Sequence, residues 1–272
     1  MKYKKVWAMY FSPTGTTKKI VTHIAKELSE NIKLEIHTLN FTPPTVRNEV
    51  HRFTETDIVI FGVPVYAGRV PNVLLKYLST VVGGVAVAVP VVLFGNRNYD
   101  DALVELRNIL QDNGFNAIAA GAFVGEHSFS EILGKNRPDE KDLEVATEFA
   151  SEIANKIISG NFQNVPVKVK GEDSIRGYYK PRDMKENIID IRKVKPKTNE
   201  KCNNCGICVK VCPMGSISSE NVSEVTGICI KCGACIKKCP QKAKYYDDEN
   251  YLYHKKDLEE EFQRRAEPET FL

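Results

Sequence analysis

Cysteine is missing from the first 201 residues of this 272-residue chain, and all eight lie between Cys202 and Cys239. Disulfides that staple a domain would be scattered through it, so the thiols belong to one local site. No apolar run approaches the roughly 18 residues of a membrane-spanning helix. The first residues lack the long apolar region and small-residue cleavage site of a secretory signal, so the expected localisation is cytoplasmic. Tryptophan occurs once, at Trp7 inside an apolar run. Neither a Walker phosphate loop nor a G-x-G-x-x-G fingerprint is present, which leaves a nicotinamide cofactor unindicated. A dense basic stripe with interleaved aromatics is also lacking, so nucleic acid is not an expected partner. What remains is ordinary globular composition, 42% hydrophobic and 27% charged with formal net charge +3, which excludes wholesale disorder.

Up to residue 160 the pattern alternates between strand and helix. Apolar runs over 5–11, 32–38, 57–61, 85–94 and 116–124 read as five strands. Between them, Ile20, Val21, Ile24, Ala25 and Leu28 share a helical face, as do Val73, Leu74, Tyr77 and Leu78 after Pro71. Two more faces are Ala102, Leu103, Leu106, Ile109 and Leu110, and Leu143, Ala146, Phe149, Ala150, Ile153 and Ile157. Such alternation predicts an α/β doubly wound parallel sheet, covered on both faces and binding its ligand at the carboxyl ends of the strands. The informative loops are then 12–17, 62–71, 95–100 and 125–141, the last long enough for a lid or a partner surface.

The expected organisation is a domain over 1–160, a basic linker over 161–195, a cysteine-rich domain over 196–250 and a charged tail over 251–272. The linker carries 9 Lys+Arg against 5 Asp+Glu, a charge that either offsets negative charge at the cysteine site or lies solvated. The tail reads as a short charged helix.

The cysteines run Cys202-x2-Cys205-x2-Cys208-x3-Cys212-Pro213 and Cys229-x2-Cys232-x2-Cys235-x3-Cys239-Pro240. A zinc ribbon would leave the third and fourth cysteine of each run unexplained. A cubane cluster takes three thiolates from a tight loop and a fourth from a distance, which this spacing supplies. Over about 50 residues the segment resembles the bacterial dicluster ferredoxins. That resemblance implies a small α+β domain holding two [4Fe-4S] clusters. One would be held by Cys202, Cys205, Cys208 and Cys239, the other by Cys229, Cys232, Cys235 and Cys212.

The turn after the first strand, SPTGTT, offers hydroxyls and backbone N–H groups at a helix start, a set able to hold a phosphate dianion. GVPVYAGRVP follows the third strand and GNRNYDD the fourth. Together these loops resemble those of the flavodoxins, which implies a five-stranded sheet of order 2-1-3-4-5 binding FMN. By that resemblance Ser12, Thr14, Gly15, Thr16 and Thr17 hold the phosphate. Pro64, Val65, Tyr66, Ala67 and Gly68 line one side of the ring, with Asn96 and Tyr99 on the other. Arg69 and Arg97 lie in the ring loops, where a guanidinium would stabilise anionic flavin. His127, after the fifth strand, reads as structural, with proton donation to flavin as the alternative.

The combination is similar to fusions of a flavodoxin-like domain with a dicluster ferredoxin. Clusters pass single electrons and FMN takes one or two. The expected function is an electron-transfer iron–sulfur flavoprotein that couples one-electron carriers to a two-electron couple. It would work with a redox protein partner, a ferredoxin or an oxidoreductase. The alternatives are an FMN-dependent reductase of a small substrate fed by ferredoxin, or a redox sensor and partner-binding module. Whether the chain is an enzyme stays open at this stage. So does a homo-oligomer in which neighbouring chains close the circuit.

Overall fold

The computed structural model describes residues 2–160, 162, 165–171, 174–183 and 185–272. Strand β1 (Lys5–Tyr10) lies between β2 (Glu35–Asn40) and β3 (Asp57–Pro64), and β3 pairs in turn with β4 (Val87–Phe94), all in parallel. The fifth strand is interrupted: β5 (Asn116–Ala117) and β6 (Ala120–Val124) both pair with β4. The spatial order is that of a 2-1-3-4-5 doubly wound sheet. Every residue of β4 is buried, as expected of a central parallel strand.

Helix α1 (Thr16–Ile32) packs with α4 (Glu140–Ser159) on one face of the sheet. There Ile20, Ile24, Phe149 and Ile153 meet Val6, Ile58 and Val89. Helices α2 (Asn72–Leu78) and α3 (Ala102–Asp112) cover the other face, where Leu74, Leu103 and Leu106 meet Phe61, Val59 and Ala88. Ile32 belongs to α1 rather than to β2, because it extends the buried stripe of that helix; Lys33, at φ 54, then closes the helix. Helix α4 starts on a reciprocal cap. The Asp139 side chain accepts the Asp142 N–H (3.3 Å) and the Asp142 side chain accepts the Asp139 N–H (2.9 Å). Buried Asp142 also receives the guanidinium fork of Arg137.

The described part of the linker folds back over the sheet domain. Arg176 donates to both carboxylate oxygens of Asp101, at 2.9 and 2.6 Å, and the Tyr178 hydroxyl donates to the Val70 carbonyl at 2.8 Å. This linker arginine serves a sheet-domain carboxylate rather than the charge of a cluster.

Strands β7 (Lys197–Thr198) and β8 (Lys244–Tyr245) close the cysteine-rich module. It holds the short helices α5 (Ile207–Lys210) and α6 (Ala234–Lys237). Its two halves repeat one conformation: Asn204 and Lys231 have φ 57 and 53, and Gly206 and Gly233 both have φ 72. Cys212 Sγ accepts the Ser216 N–H at 3.4 Å, and Cys239 Sγ accepts the Ala243 N–H at 3.3 Å.

The tail is more than a charged helix. Helix α7 (Glu249–Glu261) is capped by Asp248, whose side chain accepts the Tyr251 N–H. Beyond it, β9 (Glu269–Phe271) pairs antiparallel with β6 and covers what would be an open sheet edge.

Candidate functional site

A cleft opens at the carboxyl ends of the parallel strands, where a doubly wound sheet binds its ligand. After β1 it is lined by Pro13, Thr14, Thr16 and Thr17, and after β3 by Pro64, Val65 and Tyr66. Leu93, Phe94 and Gly95 close the β4 side, and Gly125, Glu126, His127 and Ser128 follow β6. Cys232 of the cysteine module completes the wall. Tyr66 is half-buried; desolvation first, then the nearby Cys232 and Cys229, hold its phenol well above the usual tyrosine value.

Several residues expected at this site are placed elsewhere. Ser12 spends its hydroxyl on the Lys18 N–H (2.9 Å) and its own N–H on Thr42 Oγ1 (2.7 Å), bracing the loop from behind. Gly15, by contrast, stays at the cleft as the N-cap of α1, between the lining residues Thr14 and Thr16. Ala67 and Gly68 form the tip of a tight turn closed by paired Tyr66 and Arg69 backbone bonds of 2.9 and 3.1 Å. That tip is held from outside by the N–H groups of Tyr179 and Asp101.

Asn96 and Tyr99, expected beside the ring, are instead committed to the tail. The Asn96 amide donates to the Phe262 and Arg264 carbonyls at 2.7 and 2.6 Å and accepts the Ala266 N–H at 3.1 Å. Tyr99 is buried against Phe94 and donates to Glu269 at 3.0 Å. Arg69 and Arg97 also leave the cleft. Arg69 grips Glu105 and stacks on Tyr178, while Arg97 pairs with Asp100 and stacks on Tyr179. Each guanidinium is paired with a carboxylate outside the cleft.

His127 lines the cleft with a fixed orientation. Its Nδ1 accepts the Phe129 N–H at 3.1 Å, which leaves the proton of the neutral ring on Nε2. Burial first, then His254, Lys237 and Arg97, push this imidazole down to about 3. A group held neutral at physiological pH offers a hydrogen bond rather than an acidic proton, in line with the structural reading.

The eight cysteines gather into two sets. Cys202, Cys205, Cys208 and Cys239 surround one cavity, with Ile207, Val222 and Pro240 among its walls. Cys212, Cys229, Cys232 and Cys235 surround the second, with Ile217, Val225, Ile228 and Ile230. Each set combines three cysteines of one run with the fourth of the other. Three thiolates from one tight run and a fourth from the other is the donor arrangement of a cubane cluster. Burial pushes the Cys232 and Cys235 thiols up to about 12. At Cys239 burial acts the same way but is outweighed by the N–H groups of Ala243, Gln241, Lys244 and Lys242, which lower it. Buried thiols of this kind release their protons when metal binds.

The second quartet is packed against the cleft. The Lys237 ammonium donates to the Glu126 carboxylate and, at 2.9 Å, to the Ser130 carbonyl. Arg47 of the sheet domain donates to the Pro213 carbonyl, and Ile230 packs on the core below. The loop over 125–141 is thereby a docking surface for the module. The interdomain role of Cys232 and Glu126 was not legible in the sequence, because no local signal says which run of cysteines faces the sheet.

An α/β sheet with a cleft at its switch point, joined to an eight-cysteine module, defines a redox protein of flavin and iron–sulfur type. A family model described as a flavodoxin domain matches residues 8–124, and one described as a 4Fe-4S dicluster domain matches residues 201–244. The chain thus carries a flavodoxin domain and a 4Fe-4S dicluster ferredoxin domain in one polypeptide. Similar solved structures include a flavodoxin from the domain Archaea (14% identity, TM-score 0.39, covering 57% of this chain and 99% of that one). The flavodoxin of Streptococcus pneumonia TIGR4 is 20% identical with TM-score 0.40, covering 56% of this chain and 99% of its own. Flavodoxin 2 of Bacillus cereus is 18% identical with TM-score 0.42 and covers the same shares, 56% and 99%. No curated protein matches the chain. No helix among the described residues is long and apolar enough to cross a membrane.

Proposed function

We propose that the protein carries electrons between two [4Fe-4S] clusters and one FMN, coupling one-electron partners to a two-electron couple. The observation that carries this reading is Cys232, which belongs to the second cysteine quartet and also to the wall of the cleft. FMN, when bound, accepts one or two electrons, and each cluster exchanges one at a time.

The remaining work falls to the chain. Thr14, Thr16 and Thr17, with the free N–H groups at the start of α1, provide anion-binding donors for the FMN phosphate. Pro64, Val65, Tyr66 and Phe94 give the cleft the apolar and aromatic lining that a flavin ring would pack against. Cys202, Cys205, Cys208 and Cys239 would hold one cluster and Cys212, Cys229, Cys232 and Cys235 the other. Cys205 is exposed whereas Cys232 and Cys235 are buried, which sets an order from the solvent side to the cleft.

A reductase acting on a small substrate needs an opening beside the ring. Here the module closes on that rim through Lys237 and Glu126, which favours a carrier. The test is elemental analysis of protein prepared without oxygen. It should contain about eight iron, eight sulfide and one FMN per chain. Full clusters without flavin would overturn the proposal.

A further inference from the structure

The module contains one docking device twice, and among the described residues only one copy is engaged. In the second half, a Cβ built on Gly233 would lie 2.5 Å from the Ser128 carbonyl oxygen, so the backbone of α6 is in direct contact with the flavodoxin domain. Lys237, at the end of α6, reaches Glu126 and the Ser130 carbonyl. In the first half, Gly206 and Lys210 hold the equivalent positions on α5, with the same φ of 72 at the glycine. Nothing lies within 4 Å of a Cβ built on Gly206. Lys210 is exposed and takes part in no ion pair found among the described residues. Beside them Cys205, Asn203 and Asn204 are exposed.

We propose that the face formed by Gly206, Lys210 and the exposed rim of Cys205 docks an external one-electron carrier, an acidic redox protein. The partner places a carboxylate on Lys210 and a stretch of backbone against Gly206, as Glu126 and Ser128 do at the other half. The inner contact supplies the chemistry of the outer one: a lysine that pairs with a carboxylate, and a glycine without a Cβ to hold the partner off. The two halves then have divided roles, one fixed on the cleft and the other free for exchange.

This inference rests on the reading that both quartets hold clusters. The experiment mixes the flavin- and cluster-loaded protein rapidly with a chemically reduced, acidic two-iron ferredoxin. Cluster and flavin bleaching are followed separately, and a small inorganic reductant serves as the control. Lys210→Glu is expected to slow cluster reduction by the ferredoxin about tenfold at low salt, an effect that shrinks as salt rises. Reduction by the small reductant and the iron content should be unchanged. Lys237→Glu is expected to leave cluster reduction by the ferredoxin intact and to slow the flavin instead. If Lys210→Glu is reduced by the ferredoxin at the wild-type rate, or is slowed equally with both reductants, the docking face is refuted. Wild-type protein that assembles without iron would instead overturn the function on which the inference rests.

Discussion

Replacing Gly233 by alanine perturbs the interface between module and cleft, and Gly206→Ala provides its internal control. Both glycines have φ 72 and both cap a four-residue helix, so each alanine carries the same left-handed backbone strain, about 1–2 kcal/mol. At Gly206 the new methyl enters open space, and the cost ends there. At Gly233 it meets a backbone carbonyl oxygen at 2.5 Å, an atom at the base of a braced loop that cannot swing aside. Relief requires the module to retract by roughly 1 Å to reach ordinary contact distance, at an overpacking cost of about 1–3 kcal/mol. Retraction loosens the grip of Lys237 on Glu126 and withdraws Cys232 from the cleft. The expected result is that Gly206→Ala lowers stability modestly and leaves flavin reduction through the module unchanged. Gly233→Ala loses more stability and slows that reduction at matched iron and flavin content. The assay is rapid mixing with a small reductant, following cluster and flavin absorbance, together with denaturant melts of each protein. Equal flavin reduction rates in the two variants would refute the reasoning.

Tyr99→Phe removes the hydroxyl that tethers Glu269 and should cost about 1 kcal/mol in a denaturant melt while leaving FMN affinity unchanged; a large loss of affinity would put Tyr99 back at the ring. Arg137→Leu takes the two-pronged partner from the fully buried Asp142 carboxylate, leaving it the Asp139 N–H and Arg265 at 3.7 Å, and should destabilise the protein by about 3 kcal/mol; a change below about 1 kcal/mol would contradict the assigned pairing. The His127 imidazole is depressed to about 3 from its ordinary 6.5, so on acidification the unfolded chain takes up its proton first, and stability is lost as pH falls below 6.5. Between about pH 7 and pH 5, His127→Gln should therefore lose roughly 2 kcal/mol less stability than wild type, and parallel curves would refute the assignment.

The parts of this protein written in local spacing were legible in its sequence. Cysteine runs fix which thiols share a loop, and the structure gathers the fourth cysteine of each run with the other run. Buried stripes and β-branched runs likewise marked the strands, helices and intervening loops in chain order, while the 2-1-3-4-5 order came from the likeness of those loops to the flavodoxins. What escaped was long-range. Asn96 and Tyr99 sit in a loop whose sequence suits a flavin, but the tail returns some 170 residues later to take both side chains. Arg69 and Arg97 were captured by Glu105 and Asp100 and by the tyrosines of a linker without periodicity. The β9 strand is three residues long and owes its place to the open edge of β6, which no pattern in the tail announces.

The central claim is that the cysteine module and the cleft form one circuit within a chain. It is tested most directly by flash reduction with less than one electron per chain, followed by the rate at which flavin bleaches as protein concentration is varied. A flavin rate independent of concentration is the predicted result, since Cys232 and the cleft belong to the same molecule. A rate proportional to concentration, or clusters that stay reduced while the flavin stays oxidised, would contradict the account.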